Sequence, residues 1–278
     1  MGLVTSTLAD AVRAVEVAWP PAGASGWDAS GLVSGDPARP VRRIHLAVDA
    51  VRATVDEAVA IDADLLLTHH PLLLRGVTTI AETGYKGALL ADLVRADCAL
   101  YAAHTTADVV EDGTSGRLAA LLGLLPETLR PLEPAADGVR GIGRVGDLPA
   151  ATTLGRLAAE LARLLPPTAT GIRAAGPYDA PVRRVALCGG AGDSLLGAPE
   201  VVGADVYVTS DLRHHPASEA RESAAVRGGT PYLIDTSHWA SEWLWLEAAA
   251  DVLRGSLPGV EVTVSDIRTD PWDFAVTQ

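Results

Sequence analysis

Lysine is all but missing from this chain. Lys86 is the only one, and Lys plus Arg reach 22 against 35 Asp plus Glu, a formal net charge of −13. So acidic a surface disfavours the nucleic-acid backbone, which is held by clustered Lys and Arg that release counterions. Cysteine is nearly absent too, and Cys98 and Cys188 alone build neither a disulfide framework nor a thiolate zinc site. No apolar run approaches the ~20 residues of a membrane helix, and no basic segment with an apolar core marks a signal peptide at the start. These absences lead to the expectation of a reduced, cytoplasmic protein with no nucleic-acid and no membrane partner. Met1-Gly2-Leu3-Val4-Thr5-Ser6 matches a short myristoylation pattern, while Thr7-Leu8-Ala9-Asp10 reads as an N-cap opening a helix.

What is present suffices for a packed core: 278 residues, 48% of them hydrophobic, enough for one large α/β unit or two smaller lobes. A helix is expected over about 8–18, then a Pro/Gly-rich loop to Pro40 and a strand over 43–48. Thr54-x-x-Glu57 reads as the cap of a short helix, and a strand over 64–68 ends in His69-His70-Pro71. A helix near 86–96, a strand near 98–103 and a helix near 114–123 complete an alternating pattern that indicates an α/β fold. Pro126, Pro131 and Pro134 mark a connector.

Beyond it the pattern begins again. Val182-Arg183-Arg184-Val185-Ala186-Leu187 echoes Val41-Arg42-Arg43-Ile44-His45-Leu46 at an offset of 141, and Ala204–Thr209 echoes Ala63–Thr68 at the same offset. His104-Thr-Thr-Ala-Asp108 and His238-Trp-Ala-Ser-Glu242 repeat at an offset of 134. The order of these echoes favours duplication over chance likeness between strands. It predicts lobe one over about 1–125, a connector over about 126–140 and lobe two over about 141–278, with a shared site between the lobes.

Seven histidines fall largely in clusters. His69 and His70 follow a buried strand, where alternating side chains would point to opposite sides and so serve two ions or two layers of a site. A turn or capping role is the other reading of His-His-Pro. His104 with Asp108, and His238 with Glu242, stand four residues apart, one face of a helix. Together these groups offer enough nitrogen and oxygen donors for two metals, and imidazole with carboxylate suits zinc, iron, manganese or nickel.

Taken in order, Leu67-Thr68-His69-His70-Pro71, His104-x-x-x-Asp108 and His238-x-x-x-Glu242, with Trp27-Asp28-x-x-Gly31-Leu32 and Ala204-Asp205-x-x-x-Thr209-x-Asp211, resemble the NIF-three-like dinuclear-metal family, whose members often carry the label GTP cyclohydrolase 1 type 2 homologue. The resemblance runs through nearly the whole chain. It implies metal ligands His69, His70, Asp108, His238 and Glu242, with Glu242 bridging two divalent ions and His104 beside them as an acid or base. It also implies an α/β fold of two pseudo-repeated, intertwined lobes with mixed sheets and the metal site in the cleft between them. A ring-like homohexamer is implied as well, and the chain is too short for the additional domain inserted in longer members. Ser237 where the family has glycine, Thr106 where it has asparagine, and Ala29-Ser30 after Trp27-Asp28 depart from the pattern without removing a ligand.

Two function classes follow. One is a metal-dependent hydrolase of a small phosphorylated or nucleotide-like substrate; the other is a non-enzymatic protein of metal storage, delivery or regulation. Other motifs have plainer readings beside the functional ones. Cys188-Gly189-Gly190-Ala191-Gly192 could cradle a phosphate or form a tight turn after a strand, His214-His215 could line a pocket or start a helix, and Trp239, Trp243 and Trp245 could stack on a base or pack the core. His45 reads as a satisfied core or interface histidine.

Overall fold

The computed structural model describes residues 6–277. The myristoylation pattern begins with residues that lie outside them. Among the described residues two compact units are formed, one by 6–107 with Leu246–Thr269, the other by Asp108–Trp245 with 270–277. The division thus falls ahead of the Pro-containing stretch, and the C-terminal part of the chain is shared between the units.

The first unit opens with α1 (Leu8–Ala18), β1 (Gly31–Ser34), β2 (Arg43–Ala47) and α2 (Arg52–Ala60). It continues through β3 (Leu65–Thr68), α3 (Tyr85–Arg95) and β4 (Ala99–Ala102) to α4 (Thr105–Val109), which carries the chain into the second unit. There follow α5 (Thr114–Leu121), β5 (Glu133–Pro134), β6 (Gly141–Ile142), β7 (Arg144–Thr153), α6 (Leu154–Leu164) and β8 (Arg173–Ala175). Then come β9 (Pro181–Ala191), α7 (Pro199–Val202), β10 (Val206–Ser210), α8 (His214–Val226) and β11 (Tyr232–Thr236). Helix α9 (His238–Ser256) returns the chain to the first unit, which ends with β12 (Glu261–Val264).

The sheet of the first unit has the order β1-β4-β3-β2-β12. β12, β2, β3 and β4 are parallel and β1 is the antiparallel edge. Strands covered on both faces read as unbroken apolar runs, and Leu65, Leu66 and Leu67 are fully buried. Val55, Leu66, Leu93 and Leu100 share one core cluster. Helix α1 starts where Thr7 and Asp10 form a reciprocal capping box and buries Leu8, Ala11 and Val15, a single helical stripe.

The sheet of the second unit has the order β7-β9-β10-β11-β8. β9, β10 and β11 are parallel, with β8 an antiparallel edge on β11 and β7 antiparallel on β9. Val145, Ala186, Tyr207 and Leu233 pack in its core. Four strands of each sheet therefore follow one order, an antiparallel edge and then three parallel strands. Ile44 pairs with Leu65 in the first sheet, and Val185 with Val206 in the second. The same carboxylate device opens both: Asp64 accepts from the amides of Arg42 and Arg43 at 2.7 and 2.9 Å, and Asp205 from those of Arg183 and Arg184, both at 2.8 Å.

Three local expectations change. Thr54 is not an N-cap but the third residue of α2, whose cap is Val51. Its hydroxyl accepts from the Val51 amide and donates to the Asp49 carbonyl. The loop to Pro40 contains β1. The connector holds a 3-10 turn at Pro126–Thr128 and β5, which pairs with β6 just beyond it. His45 is a satisfied core histidine, 2% exposed, between Thr263 and Glu57. Trp239 and Trp245 are buried. Among the described residues no helix is long and apolar enough to cross a membrane.

Candidate metal centre

In the first unit, the donors sit at the ends of two adjacent parallel strands. After Thr68 the chain leaves β3 in a bend, while the amides of His69 and His70 still donate to the carbonyls of Ala47 and Val48. Strand alternation stops at that bend, so the two rings do not point to opposite sides. Their centroids lie 5.0 Å apart, and His104, just past β4, has its ring 5.3 Å from His69 and 5.5 Å from His70. One donor atom from each of the three falls within 4.8 Å of the others.

Each of these imidazoles is held by Nδ1. His69 Nδ1 donates to the Ala103 carbonyl at 2.9 Å, His70 Nδ1 to Asp49 at 2.7 Å, and His104 Nδ1 to Asp28 at 2.7 Å. Carbonyl and carboxylate oxygens only accept, so the proton is on Nδ1 and the lone pair of the neutral ring is on Nε2. That is the arrangement by which an outer oxygen fixes the tautomer of a metal-ligating histidine. Asp28 is itself heavily engaged, accepting from Ser30 and Thr105 hydroxyls, both at 2.6 Å. Burial works against its charge, but the hydrogen bonds from His104, Ser30 and Thr105 prevail and hold its carboxyl well below the usual range.

In the second unit, His238 and Glu242 stand one turn apart at the start of α9, with His238 Nε2 3.0 Å from a Glu242 oxygen. His238 Nδ1 donates to Asp211 at 2.7 Å, and Asp211 adopts φ +57 just beyond β10. Burial alone would lower the His238 pKa, but the Glu242 carboxylate, and after it Asp211, push it up to about 11. A cation taken at Nε2 would have to displace a proton held against Glu242. Asp108, on α4, accepts from the Thr114 hydroxyl at 2.5 Å. Among the described residues it belongs to no three-donor group as tight as that of the three histidines.

Gly190, near the end of β9, makes room for this pair. It has φ +70, and a Cβ there would lie 2.2 Å from Glu242 Oε1 and 3.2 Å from His238 Nε2. Its amide donates to Ser241 at 2.9 Å and that of Gly189 to Ser115 at 3.1 Å, so these N–H groups are committed and do not cradle a phosphate. His214 and His215 are exposed and start α8, with their rings 5.2 Å apart. Asp49 had no signal in the sequence beyond residue type, and Gly190 stood in the Cys188–Gly192 motif under other readings. Asp28 stood in the Trp27-Asp28 motif without a role.

The donor chemistry fits a divalent transition ion: neutral imidazoles with outer oxygen partners, and a buried carboxylate beside a fourth histidine. Such a set of residues on such sheets defines a candidate metal-binding α/β protein. Duf34/NIF3 (NGG1p interacting factor 3) matches residues 6–271, and the chain belongs to this family. A Streptomyces coelicolor protein named GTP cyclohydrolase 1 type 2 homolog is 45% identical over 272 residues, covering 95% of this chain and 93% of the relative. A Mycobacterium tuberculosis protein of the same name is 35% identical, with 96% and 97% covered. That alignment runs over 376 residues against the 278 of this chain, so the mycobacterial relative carries residues that this one lacks. Among solved structures, a Bacillus cereus protein related to NIF3 superposes with a TM-score of 0.87 at 22% identity, covering 98% of this chain and all of that one. Staphylococcus aureus protein SA1388 does so with a TM-score of 0.85 at 26% identity, covering 97% and 99%.

Proposed function

We propose that this protein is a metal-dependent hydrolase of a small phosphorylated or nucleotide-like substrate, with His69, His70, Asp108, His238 and Glu242 as the ligands of two divalent ions. The observation that carries the reading is the Nδ1 anchoring of His69, His70, His104 and His238, each on an oxygen at 2.7–2.9 Å. It presents the Nε2 of His69 and His70 in the form a metal requires, and the same anchoring orients the rings of His104 and His238. The name of the relatives, GTP cyclohydrolase 1 type 2 homolog, points towards a purine nucleotide. Pseudo-repeated lobes, each giving one donor set, are part of the same proposal.

The ions would supply Lewis acidity to the hydrolysis. His104 holds and moves a proton at Nε2, while Asp28 at Nδ1 fixes the ring, as an orienting carboxylate does for a catalytic histidine.

Metal analysis and turnover on the same preparations test this. Glu242→Ala should lower bound metal from about two ions towards one or none, because a shared ligand affects both. His104→Ala should keep most of the metal and lose turnover by ~10²–10⁴, the usual share of a positioned acid or base. Asp108→Ala is the ligand-loss control. A His104→Ala protein without metal would make that residue a ligand, and metal binding without turnover on any phosphoester or nucleotide would favour storage or delivery. We further propose that copies of the chain assemble into a closed homohexamer. Light scattering should report six chains at micromolar concentration, and a monomer there would refute it.

A further inference from the structure

Trp27 is 63% exposed although it lies beside the three-histidine group of the first unit. Its indole meets the His104 ring in a T-shaped contact, with centroids 5.6 Å apart and planes at 77°. Such a contact does not cover both faces of the indole. The backbone on either side is pinned: the Ser25 amide donates to the Thr105 hydroxyl at 2.9 Å, and the Asp28 amide to the Ser25 carbonyl at 2.9 Å. Asp28 Oδ1 then takes the Ala29 amide at 2.6 Å along with His104 Nδ1. A large apolar side chain held in a fixed loop yet left open to water gains little for folding. Its value lies in offering a rigid π surface next to the donor atoms.

We infer that Trp27 is a specificity-determining residue that stacks on a planar heteroaromatic ring of the ligand, while the ligand's polar part reaches towards the histidines. The inference rests on the reading of these histidines as part of a ligand-binding centre. Purines and similar fused rings present the flat, polarisable face that an indole accepts, and an aliphatic phosphate ester presents none. Asp28 links the two roles, since the carboxylate that orients His104 also fixes the turn that displays the indole.

Calorimetric titration of the metal-loaded full chain with GMP and with ribose 5-phosphate tests it, alongside metal analysis. Trp27→Ala should weaken GMP binding roughly 10- to 100-fold, the range of a lost aromatic stack. It should leave ribose 5-phosphate affinity, metal content and melting temperature unchanged. Trp27→Phe should retain GMP binding within about threefold, because a smaller ring still stacks. Equal GMP affinity in Trp27→Ala, equal losses for both probes, or a wild-type protein with no preference for GMP would each overturn the inference. A protein that binds no metal but keeps a Trp27-dependent preference for GMP would instead overturn the hydrolase reading and leave the stacking role standing.

Discussion

At the scale of single residues, the chemistry is organised by carboxylates standing behind histidines. Asp28 is the most engaged of them, with its charged form stabilised by His104, Ser30 and Thr105. A carboxyl whose folded pKa lies below its unfolded value contributes stability above the unfolded pKa and loses it as pH falls towards the folded one. Stability should therefore be flat in this contribution from neutral pH down to about 4, then decline with acidification. Asp28→Asn should show a shallower acid decline below pH ~4 in urea-unfolding series, starting from a lower plateau. Identical acid slopes for the two proteins would contradict that role. The histidines themselves were legible because their spacing is local and their type is scarce. Their partners were not, since Asp49 lies 21 residues from His70 and Asp28 lies 76 from His104, distances that only the folded sheet closes.

At the scale of elements, the buried parallel strands were readable as apolar runs, and α1 as a capped amphipathic stripe. Of the strands that escaped notice, three are short and depend on distant partners: β1 on β4, β8 on β11, and β12 on β2. The misplaced cap of α2 has a similar cause. Thr-x-x-Glu is a signal for a start, but here Glu57 turns away to His45 and Ser265, and Thr54 serves the turn from inside the helix. The carboxylates that clamp the starts of β2 and β9 give a paired prediction. Asp64→Ala and Asp205→Ala should each destabilise by about 1–2 kcal/mol, the cost of stranding amides that one carboxylate satisfied. Denaturant midpoints of the two variants should shift by similar amounts; a silent variant would show that its clamp is dispensable.

At the scale of the whole molecule, each unit carries one buried thiol: Cys98 in the core of the first and Cys188 in that of the second. Burial pushes both up to about 12, and at Cys188 the nearby charges of Asp108 and Glu242 add to it. Neither forms a reactive thiolate in the folded state. Iodoacetamide at pH ~8 should leave both thiols unmodified in the native protein and alkylate both in urea. Under mild denaturant, mass mapping of the two sites should report how readily each unit opens by itself. Rapid labelling of one site in the native protein would show that its unit is already open.

Gly190 carries a consequence for how this sequence can vary. Any single-base change to a glycine codon that alters the residue introduces a side chain, so no replacement one mutational step away is free of a Cβ. At φ +70 and 2.2 Å from Glu242 Oε1, that first atom already collides with the carboxylate beside His238. In a library of random single variants selected for function, position 190 should accept no replacement, and Gly192, where a Cβ would lie 2.2 Å from the Tyr207 hydroxyl, should be restricted with it.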